Sequence, residues 1–392
     1  MNQLYYPLIT LREGSWFKLI CGASYQNLPA IRNLVLVYTL AGADCIDVAA
    51  DLAVVRAAKE GLAAADFLGR EAKVRGFELC SRPWLMVSLN DGKDPHFRKA
   101  ELDPALCPSE CPRPCEKICP AQAIVFQNTK DGASGVIDSS CYGCGRCLPV
   151  CPSQLIETRS YISTPEAVAS LMLPNRVDAL EIHTQVGHFG DFKRLWRAIA
   201  PWVNQLKLLA ISCPDDEGLI DYLWALYDLI TPLPCSLVWQ TDGRPMSGDI
   251  GAGTTRAAVK LAQKVLEAGL PGYVQPAGGT NNHTVDKLKA TGLLKKRTGE
   301  NTQSLVTSPQ LSVAGVAYGS YARVLLSPIL DKLERFYWEE WQELDANLAS
   351  AASPLPRKLE DFPDLLWPAV AKAHSLVSQL KPAKKFSQAS SK

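Results

Sequence analysis

Residues 141–152 read Cys-Tyr-Gly-Cys-Gly-Arg-Cys-Leu-Pro-Val-Cys-Pro, which places cysteines at 141, 144, 147 and 151 and a proline directly after the last. Two two-residue gaps, a three-residue gap and a closing proline are the spacing of the bacterial iron–sulfur run. The first three thiolates of such a run hold one cluster, and the fourth ligates a neighbouring cluster. The segment therefore predicts an iron–sulfur site in a ferredoxin-like fold.

A looser copy of this run lies upstream, with Pro120 after its last cysteine and three residues in every gap. Crossed ligation predicts two clusters, one on Cys119, Cys141, Cys144 and Cys147 and the other on Cys107, Cys111, Cys115 and Cys151. The wider gaps leave open whether Cys111 reaches its corner. We therefore expect one 4Fe–4S cluster and a second cluster that is either 4Fe–4S or 3Fe–4S.

The spacing of the cysteines allows two other interpretations. Paired short spacings also suit tetrahedral zinc, but the double Cys-Pro ending favours iron–sulfur. Four-residue spacing could mark one face of a helix, but Pro108, Pro112 and Pro114 disfavour a helix there. The two endings continue as Pro-Ala-Gln-Ala-Ile and Pro-Ser-Gln-Leu-Ile, an internal repeat similar to that of two-cluster bacterial ferredoxins.

The bulk composition excludes several classes of protein. The 392 residues are 47% hydrophobic, enough for a sizeable core, and carry 41 basic against 40 acidic side chains. This balance provides no electrostatic footprint for nucleic acid, and no stretch is apolar enough to span a membrane, so we expect a cytoplasmic protein. Eight of the 13 cysteines fall in one 45-residue window, which indicates metal ligation rather than disulfides.

Strand-like and helix-like segments alternate on both sides of the cysteines. The predicted strands are Lys18–Gly22, Cys45–Ala49, Trp84–Leu89, Ala179–His183, Lys207–Ser212, Ser236–Gln240, Gly272–Gln275 and Val313–Tyr318. The predicted helices are Leu28–Leu40, Leu52–Leu62, Thr164–Leu173, Asp191–Ile199, Leu219–Ile230, Thr254–Ala268, Val285–Ala290 and Tyr321–Phe336. Eight such units favour an α/β fold of the (β/α)8 TIM-like barrel type, although an open doubly wound sheet has the same alternation.

The cysteine segment interrupts this alternation after the third strand, so it is predicted to be an insertion. The expected domains are residues 1–92 as the first part of the barrel, 93–160 as the inserted ferredoxin-like iron–sulfur domain and 161–340 as the second part of the barrel. Residues 341–392 are expected to form a C-terminal region with a helix within Trp338–Ala351 and a polar tail over Lys381–Lys392.

The carboxyl ends of the last two predicted strands carry a candidate phosphate site. TIM-like barrels often hold phosphate there with backbone amides at a helix start. The candidate residues are Gly278, Gly279 and Thr280 after the seventh strand and Gly319, Ser320 and Arg323 after the eighth. The phosphate could belong to a flavin, or the glycines could simply form tight turns.

Acidic residues and one histidine stand at other strand ends. His183 ends the fourth predicted strand and Glu181 lies two residues earlier on the same side, which suits a proton-transfer pair or a hydrogen-bonded structural histidine. Asp47 and Asp51 flank the end of the second strand, where one is expected to cap the next helix. No catalytic residue is assigned from these patterns.

Three stretches resemble the cyanobacterial light-dependent period protein family, LdpA. They are Gly42-Ala-Asp-Cys-Ile-Asp-Val-Ala-Ala50, the double cysteine run, and Gln275-Pro-Ala-Gly-Gly-Thr-Asn-Asn-His283. The resemblance extends to about Leu333. It implies an iron–sulfur protein with mixed cluster content that passes cellular redox state to the circadian clock, with clock or signalling proteins as partners. It carries over to the eight cysteines individually, and to no catalytic role in the barrel.

Three functions follow as hypotheses. The first is a redox-sensing regulator rather than an enzyme, with an electron donor that the sequence does not identify. The second is a flavin-dependent iron–sulfur oxidoreductase with a phosphate-binding barrel mouth. The third is an electron carrier, which ranks last because such a carrier does not need a barrel of this size.

Overall fold

The computed structural model describes residues 6–21, 28–77, 79, 81–92, 98–119, 122–126, 134–138, 140–141, 145–160, 177–244, 250–295, 311–345 and 358–381. The strands are β1 (Trp16–Ile20), β2 (Cys45–Ala49), β3 (Trp84–Asn90), β4 (Arg98–Glu101), β5 (Ile124–Val125), β6 (Gly135–Val136), β7 (Glu157–Ser160), β8 (Ala179–His183), β9 (Leu208–Pro214), β10 (Ser236–Asp242), β11 (Tyr273–Ala277) and β12 (Gly315–Tyr318).

The helices are α1 (Tyr6–Glu13), α2 (Leu28–Leu40), α3 (Leu52–Val74), α4 (Pro114–Ile118), α5 (Cys147–Val150), α6 (Phe189–Ile199), α7 (Leu219–Ile230), α8 (Thr255–Glu267), α9 (Thr284–Ala290), α10 (Ser320–Asp345) and α11 (Pro363–Val377). The helix predicted at Thr164–Leu173 lies outside the described residues.

Eight parallel strands form the main sheet in the order β11-β10-β9-β8-β3-β2-β1-β12. The two edges of this sheet meet, since the backbone N–H of Ala314, just before β12, donates to the Val274 carbonyl of β11 at 2.9 Å. The sheet is thus a nearly closed barrel, and all eight predicted barrel strands are confirmed. The alternation of eight strands and helices in the sequence favours this closed arrangement over an open doubly wound sheet.

Strand alternation divides the barrel side chains into three groups. Outward residues such as Leu19, Val87 and Ile211 pack beneath the helices in the main core. At the amino-terminal end, the inward residues form a separate apolar cluster of Trp16, Cys45, Trp84, Met86, Ala179, Leu208, Ala210 and Val238, with Leu11 and Ala314. At the carboxyl-terminal end, the inward residues are buried and polar: Lys18, Asp47, Ser88, Glu181, Ser212, Gln240 and Gln275.

Helix α3 begins at a well-formed cap and runs further than predicted. Asp51 accepts hydrogen bonds from the backbone N–H groups of Ala53 and Val54, which confirms that one of the two aspartates caps this helix. The helix packs closely on α2, and a Cβ added at Gly61 would lie 2.4 Å from the Arg32 carbonyl oxygen. A glycine therefore allows the two helix backbones to approach each other.

The C-terminal region differs from the sequence prediction. The helix expected at Tyr321–Phe336 and the start of the one expected at Trp338–Ala351 are a single helix, α10. Helix α11 was not predicted, because Pro363 and Pro368 interrupt the helical pattern of its sequence. It belongs to the barrel, since α11 packs on α2 and α10, and Glu360 before it pairs with Arg32 of α2. The predicted polar tail lies outside the described residues beyond Lys381.

The cysteine-rich segment, named the cassette below (residues 98–160), leaves the barrel after β3 and returns before β8. It consists of two similar halves, β4-α4-β5 and β6-α5-β7. The outer strands β4 and β7 pair antiparallel, as do the inner strands β5 and β6, and the two short helices contact each other. The cassette has its own small core, which includes Ala100, Ile124 and Ile156.

No helix within the described part of the chain is both long enough and apolar enough to cross a membrane.

Candidate functional site

The described residues of the two Cys-Pro endings share the same backbone geometry. Cys119 and Cys151 have nearly equal backbone angles, φ −73°, ψ 107° and φ −72°, ψ 111°. Three residues later, Gln122 and Gln154 are left-handed, with φ 50° and 51°, and each donates its backbone N–H to the carbonyl of its cysteine. Left-handed backbone is unfavourable for glutamine. Its presence at both positions shows that the sequence repeat is also a structural repeat.

Pairwise interactions link the members of one of the two predicted ligand sets. The Cys107 side chain is hydrogen-bonded to that of Cys111, and Cys107 and Cys115 both interact electrostatically with Cys151. Burial, together with the neighbouring cysteines, raises the pKa of Cys115 to about 11. Burial and the neighbouring thiols disfavour the thiolate forms of Cys107 and Cys115, and a bound cation reverses that preference.

Members of the other ligand set lie in the cassette core. Cys141 and Cys147 are buried there, and Cys119 packs against them. The Cys119 sulfur accepts the backbone N–H of Ala123 at 3.2 Å. Cys144 lies outside the described residues. Within the described ranges, no three His, Cys, Asp or Glu side chains converge as ligands of a single metal ion.

Two ion pairs join the cassette to the barrel. Lys99 of β4 lies 2.8 Å from Asp51, and both side chains are buried. Arg146, from the loop that carries the second cysteine run, pairs with Glu334 of α10. Asp51 follows the carboxyl end of β2, so the cassette lies on the side of the barrel where TIM-like enzymes carry their active sites.

The barrel interior on that side is organised around Lys18, which is 1% exposed. Its ammonium group pairs with Glu181, donates to Gln240 Oε1 at 2.9 Å and lies 3.1 Å from Asp47 Oδ2. Burial lowers the pKa of Lys18, but the charges of Asp47 and Glu181 outweigh burial and raise that pKa above its usual value. Lys18 is therefore a buried counter-ion and not an amine nucleophile.

The pKa values of the two carboxylates beside Lys18 are displaced in opposite directions. Burial is the largest influence on Asp47 and raises its pKa to about 6. Burial also acts to raise the pKa of Glu181, but the charge of Lys18 and the hydrogen bond from His183 lower it to about 2. Glu181 is thus ionised throughout the physiological range.

Glu181 connects this buried layer to the mouth of the barrel. Its Oε1 accepts Gln240 Nε2–H at 2.8 Å and lies 3.2 Å from His183 Nε2. The other ring nitrogen of His183, Nδ1, is 4.0 Å from Asp242 Oδ2, and Asp242 accepts the Ser212 hydroxyl at 2.6 Å. Glu181 and His183 are therefore in contact, as the sequence predicted for this pair.

His183 is held in its protonated form by these carboxylates. Burial lowers its pKa, but the hydrogen bond and charge of Glu181, with the charges of Asp242 and Asp47, raise it to about 9. Burial also raises the pKa of Asp242. A protonated imidazole therefore faces a carboxyl group at the barrel mouth, where their side chains are 28% and 15% exposed.

The residues of the predicted phosphate site lie at the carboxyl ends of β11 and β12, and their contacts run to different neighbours. Gly278 and Gly279 are left-handed, with φ 58° and 92°, and pack on the loop that follows β10. The Thr280 hydroxyl donates to the Ala317 carbonyl at 2.6 Å. Arg323 donates to the Ile20 carbonyl at 3.2 Å and to Ser320 Oγ at 3.1 Å. Gly319 lies beside Arg323 and Ile20.

Two features of this end of the barrel were missed from the sequence. One is Lys18, for which the available signal was a single lysine inside the strand Trp16-Phe-Lys-Leu-Ile20, since lysine is rarely buried without a partner. The other is a group around Asp91, which accepts the Thr184 hydroxyl at 2.5 Å and contacts His188 Nδ1 at 3.2 Å. No local pattern marks that group.

Comparison with known proteins finds matches for the cysteine-rich segment and for the C-terminal part of the chain. Residues 107–162 match the LdpA Fe–S cluster-binding domain, and residues 171–379 match the light dependent period A C-terminal domain. The protein light dependent period A of Synechococcus elongatus is 49% identical over 381 residues, which cover 96% of this chain and 94% of that protein. A solved structure of Mycobacterium tuberculosis tryptophan synthase matches with a TM-score of 0.41 and 11% identity, over 96% of this chain and 97% of that chain.

Proposed function

The chain belongs to the light dependent period A family, and from this premise we propose that it is a clock-related iron–sulfur protein that passes redox state to clock or signalling proteins. The observation that carries the proposal is the cassette itself. Its eight cysteines lie in two runs, each of which ends in Cys-Pro. The described residues of the cassette form two β-α-β halves, whose outer strands pair with each other, as do their inner strands. This is the arrangement that a two-cluster ferredoxin-like domain requires.

The cysteine geometry supports two clusters with crossed ligation. Cys107 is hydrogen-bonded to Cys111, and both Cys107 and Cys115 interact with Cys151 from the other run, as expected for one cluster. Cys141 and Cys147 share the apolar core with Cys119, as expected for the other. When bound, each cluster supplies one-electron redox chemistry. The chain supplies thiolates, an amide donor from Ala123 and an apolar cover that limits access of water.

Arg146 supports a route by which the cassette and the barrel influence each other. It lies directly before Cys147, and its guanidinium pairs with Glu334 of α10. A shift of this loop, or a change of charge beside it, alters the pair and therefore the position of the α10 surface. We propose that partner proteins distinguish the oxidised and reduced forms through this part of the molecule.

The test begins with anaerobic purification, iron and sulfide analysis, and electron paramagnetic resonance of oxidised and reduced samples. About seven or eight irons per chain are expected for two clusters. Cys147→Ser and Cys151→Ser should each lose the signal of a different cluster, while Cys235→Ser, a half-buried barrel cysteine, should retain all the iron. Zinc without iron would refute the proposal.

A second measurement separates a sensor from a carrier. Oxidised and reduced protein, each immobilised anaerobically, are exposed to cell extract, and the bound proteins are identified by mass spectrometry. A sensor retains clock or signalling proteins in one redox state only. Equal retention in both states would remove the sensing role and leave electron transfer.

The alternative is a flavin-dependent iron–sulfur oxidoreductase. The polar barrel mouth on the cassette side, together with the left-handed Gly278 and Gly279 and the nearby Arg323, favours this function. Flavin absorbance in the anaerobically purified protein would favour the oxidoreductase over the redox regulator. This absorbance should be lost in the variant Arg323→Met. If the supernatant of the denatured protein shows no flavin absorbance, this result would count against the oxidoreductase function.

A further inference from the structure

The buried polar side chains at the carboxyl-terminal end of the barrel, around Lys18, are not needed simply to fill its interior. The layer beneath it is filled by apolar side chains such as Trp16, Met86 and Leu208. Buried ion pairs are on balance no more stabilising than apolar residues of similar volume, because each charge loses its hydration. Lys18, Asp47 and Glu181 thus place three ionisable groups where apolar residues would suffice, which points to a role other than stability.

Most of the layer is internally satisfied. Lys18 has three oxygen partners, on Glu181, Gln240 and Asp47. Glu181 in turn is contacted by three nitrogen groups, from Lys18, Gln240 and His183. The contacts of both groups run within the layer, so both act as positioning residues. Glu181 holds His183 through Nε2, and the other ring nitrogen, Nδ1, lies toward Asp242.

Asp47 Oδ2 has no hydrogen-bond partner but is buried, whereas His183 and Asp242 have open hydrogen-bonding capacity at the partly exposed mouth. The separation of His183 Nδ1 and Asp242 Oδ2 is 4.0 Å, too long for a direct hydrogen bond. An oxygen atom about 2.8 Å from each would complete both contacts. Both side chains are partly exposed, so such an atom can enter from solvent.

The chemistry of the two groups selects the kind of oxygen. The protonated ring donates from Nδ1, and the carboxylate of Asp242 accepts. A hydroxyl accepts one hydrogen bond and donates another, whereas a carbonyl or an ionised oxygen only accepts. In the free protein, a water molecule can hold this position, and a ligand hydroxyl replaces it without losing either bond.

We propose that the barrel mouth binds a small hydroxylated metabolite, with one hydroxyl oxygen between His183 Nδ1 and Asp242 Oδ2. This site is separate from the cysteine cassette and goes beyond the redox function proposed above. The cassette lies on the same side of the barrel as this site.

Isothermal titration calorimetry on the full-length, cluster-loaded protein tests the proposal, with glycerol 3-phosphate as the probe. It carries hydroxyls and also a phosphate for the predicted Gly278–Gly279 loop. Glycerol and inorganic phosphate are titrated as separate arms. Saturable binding of glycerol 3-phosphate is expected, with inorganic phosphate at least about tenfold weaker because it lacks the glycerol part and its alcohol hydroxyls.

Variants locate the contact. Asp242→Asn and His183→Gln should each weaken the probe about tenfold, while Asp221→Asn on the exposed face of α7 should leave affinity unchanged. The histidine resonances report the site directly, since the chain has only five histidines, and the His183 signal should shift on binding. Absence of saturable binding, equal affinity for inorganic phosphate, or unchanged affinity in both folded variants would overturn the proposal. Iron content decides the redox function separately.

Discussion

Lys18 shows how a single residue controls the barrel interior. Its ammonium group is enclosed by Asp47 and Glu181, and all three side chains are at most 1% exposed. Such a cation is tolerated because two carboxylates and an amide oxygen replace its water shell. Removal of the cation alone would leave two buried carboxylates without the positive charge between them.

Lys18→Met is therefore expected to reduce the free energy of unfolding by about 3–5 kcal/mol. Urea denaturation of the variant measures this change. Lys260→Met, on the exposed face of α8, is the matched control and should change it by less than about 0.5 kcal/mol. The double variant Lys18→Met with Glu181→Gln should recover part of the loss. A cost below about 1 kcal/mol for Lys18→Met would contradict this account.

His183 predicts a specific pH dependence. Its pKa is raised from 6.5 to about 9, so the folded state binds the proton more tightly than the unfolded state. The resulting stability is fully present below pH 6.5 and is lost as pH rises through 9. We expect a loss on the order of 1–3 kcal/mol over this range.

The measurement is urea unfolding at several pH values between 6 and 10, for the wild type and for His183→Gln. The variant should show a flatter profile above pH 6.5, because it has no proton to lose at this position. Parallel profiles for the two proteins would assign the pH dependence to other groups. Glu181→Gln should bring the midpoint of the His183 titration down toward the ordinary histidine value, as followed by NMR.

At the scale of elements, helix α3 contains two glycines in different surroundings. Gly61 lies against α2, where an added Cβ would be 2.4 Å from the Arg32 carbonyl oxygen and 2.9 Å from Val35 Cβ. At Gly69 nothing lies within 4 Å of an added Cβ. The same substitution therefore has opposite expected effects within one helix.

Gly61→Ala should destabilise the protein by about 1–3 kcal/mol, since the two helices must move apart. Gly69→Ala should stabilise it by about 0.5–1 kcal/mol, because alanine favours the helical backbone. Thermal or urea unfolding of both variants measures the difference. Effects of the same sign would show that the contact between α2 and α3 does not determine the outcome.

For the whole molecule, two ion pairs of unequal burial join the cassette to the barrel within the described part of the chain. Lys99 and Asp51 are 8% and 5% exposed, whereas Arg146 and Glu334 are 25% and 38% exposed. The second pair is partly screened by solvent and contributes at most about 1 kcal/mol. The Arg146–Glu334 pair can therefore form or break while the cassette stays attached to the barrel.

Arg146→Glu and Glu334→Arg should each increase hydrogen exchange in residues 145–150 and in α10, by up to about fivefold. The exchanged pair Arg146→Glu with Glu334→Arg should restore protection toward the wild-type level. Arg335→Glu, exposed on the same helix, is the control. If the double variant exchanges as fast as the single ones, the ion pair does not connect the two parts.

Much of the architecture was determined by the sequence itself. Strand and helix periodicity predicted all eight barrel strands, two of them, Cys45–Ala49 and Ala179–His183, with the observed bounds. The cysteine spacing predicted the cassette and its repeat, and the Glu181 and His183 contact followed from their positions two residues apart. These features are local, since a few neighbouring residues contain the whole signal.

Only the tertiary structure decided the rest. Closure of the barrel brings Lys18 of β1 to Glu181 of β8 and Gln240 of β10, and no spacing in the chain encodes that meeting. The pKa values of His183 and Asp47 depend on charges from distant strands, and helix α11 packs on α2 from the far end of the chain. The physical reason is that burial and charge act through distances in space, which are set only when the strands close into a barrel.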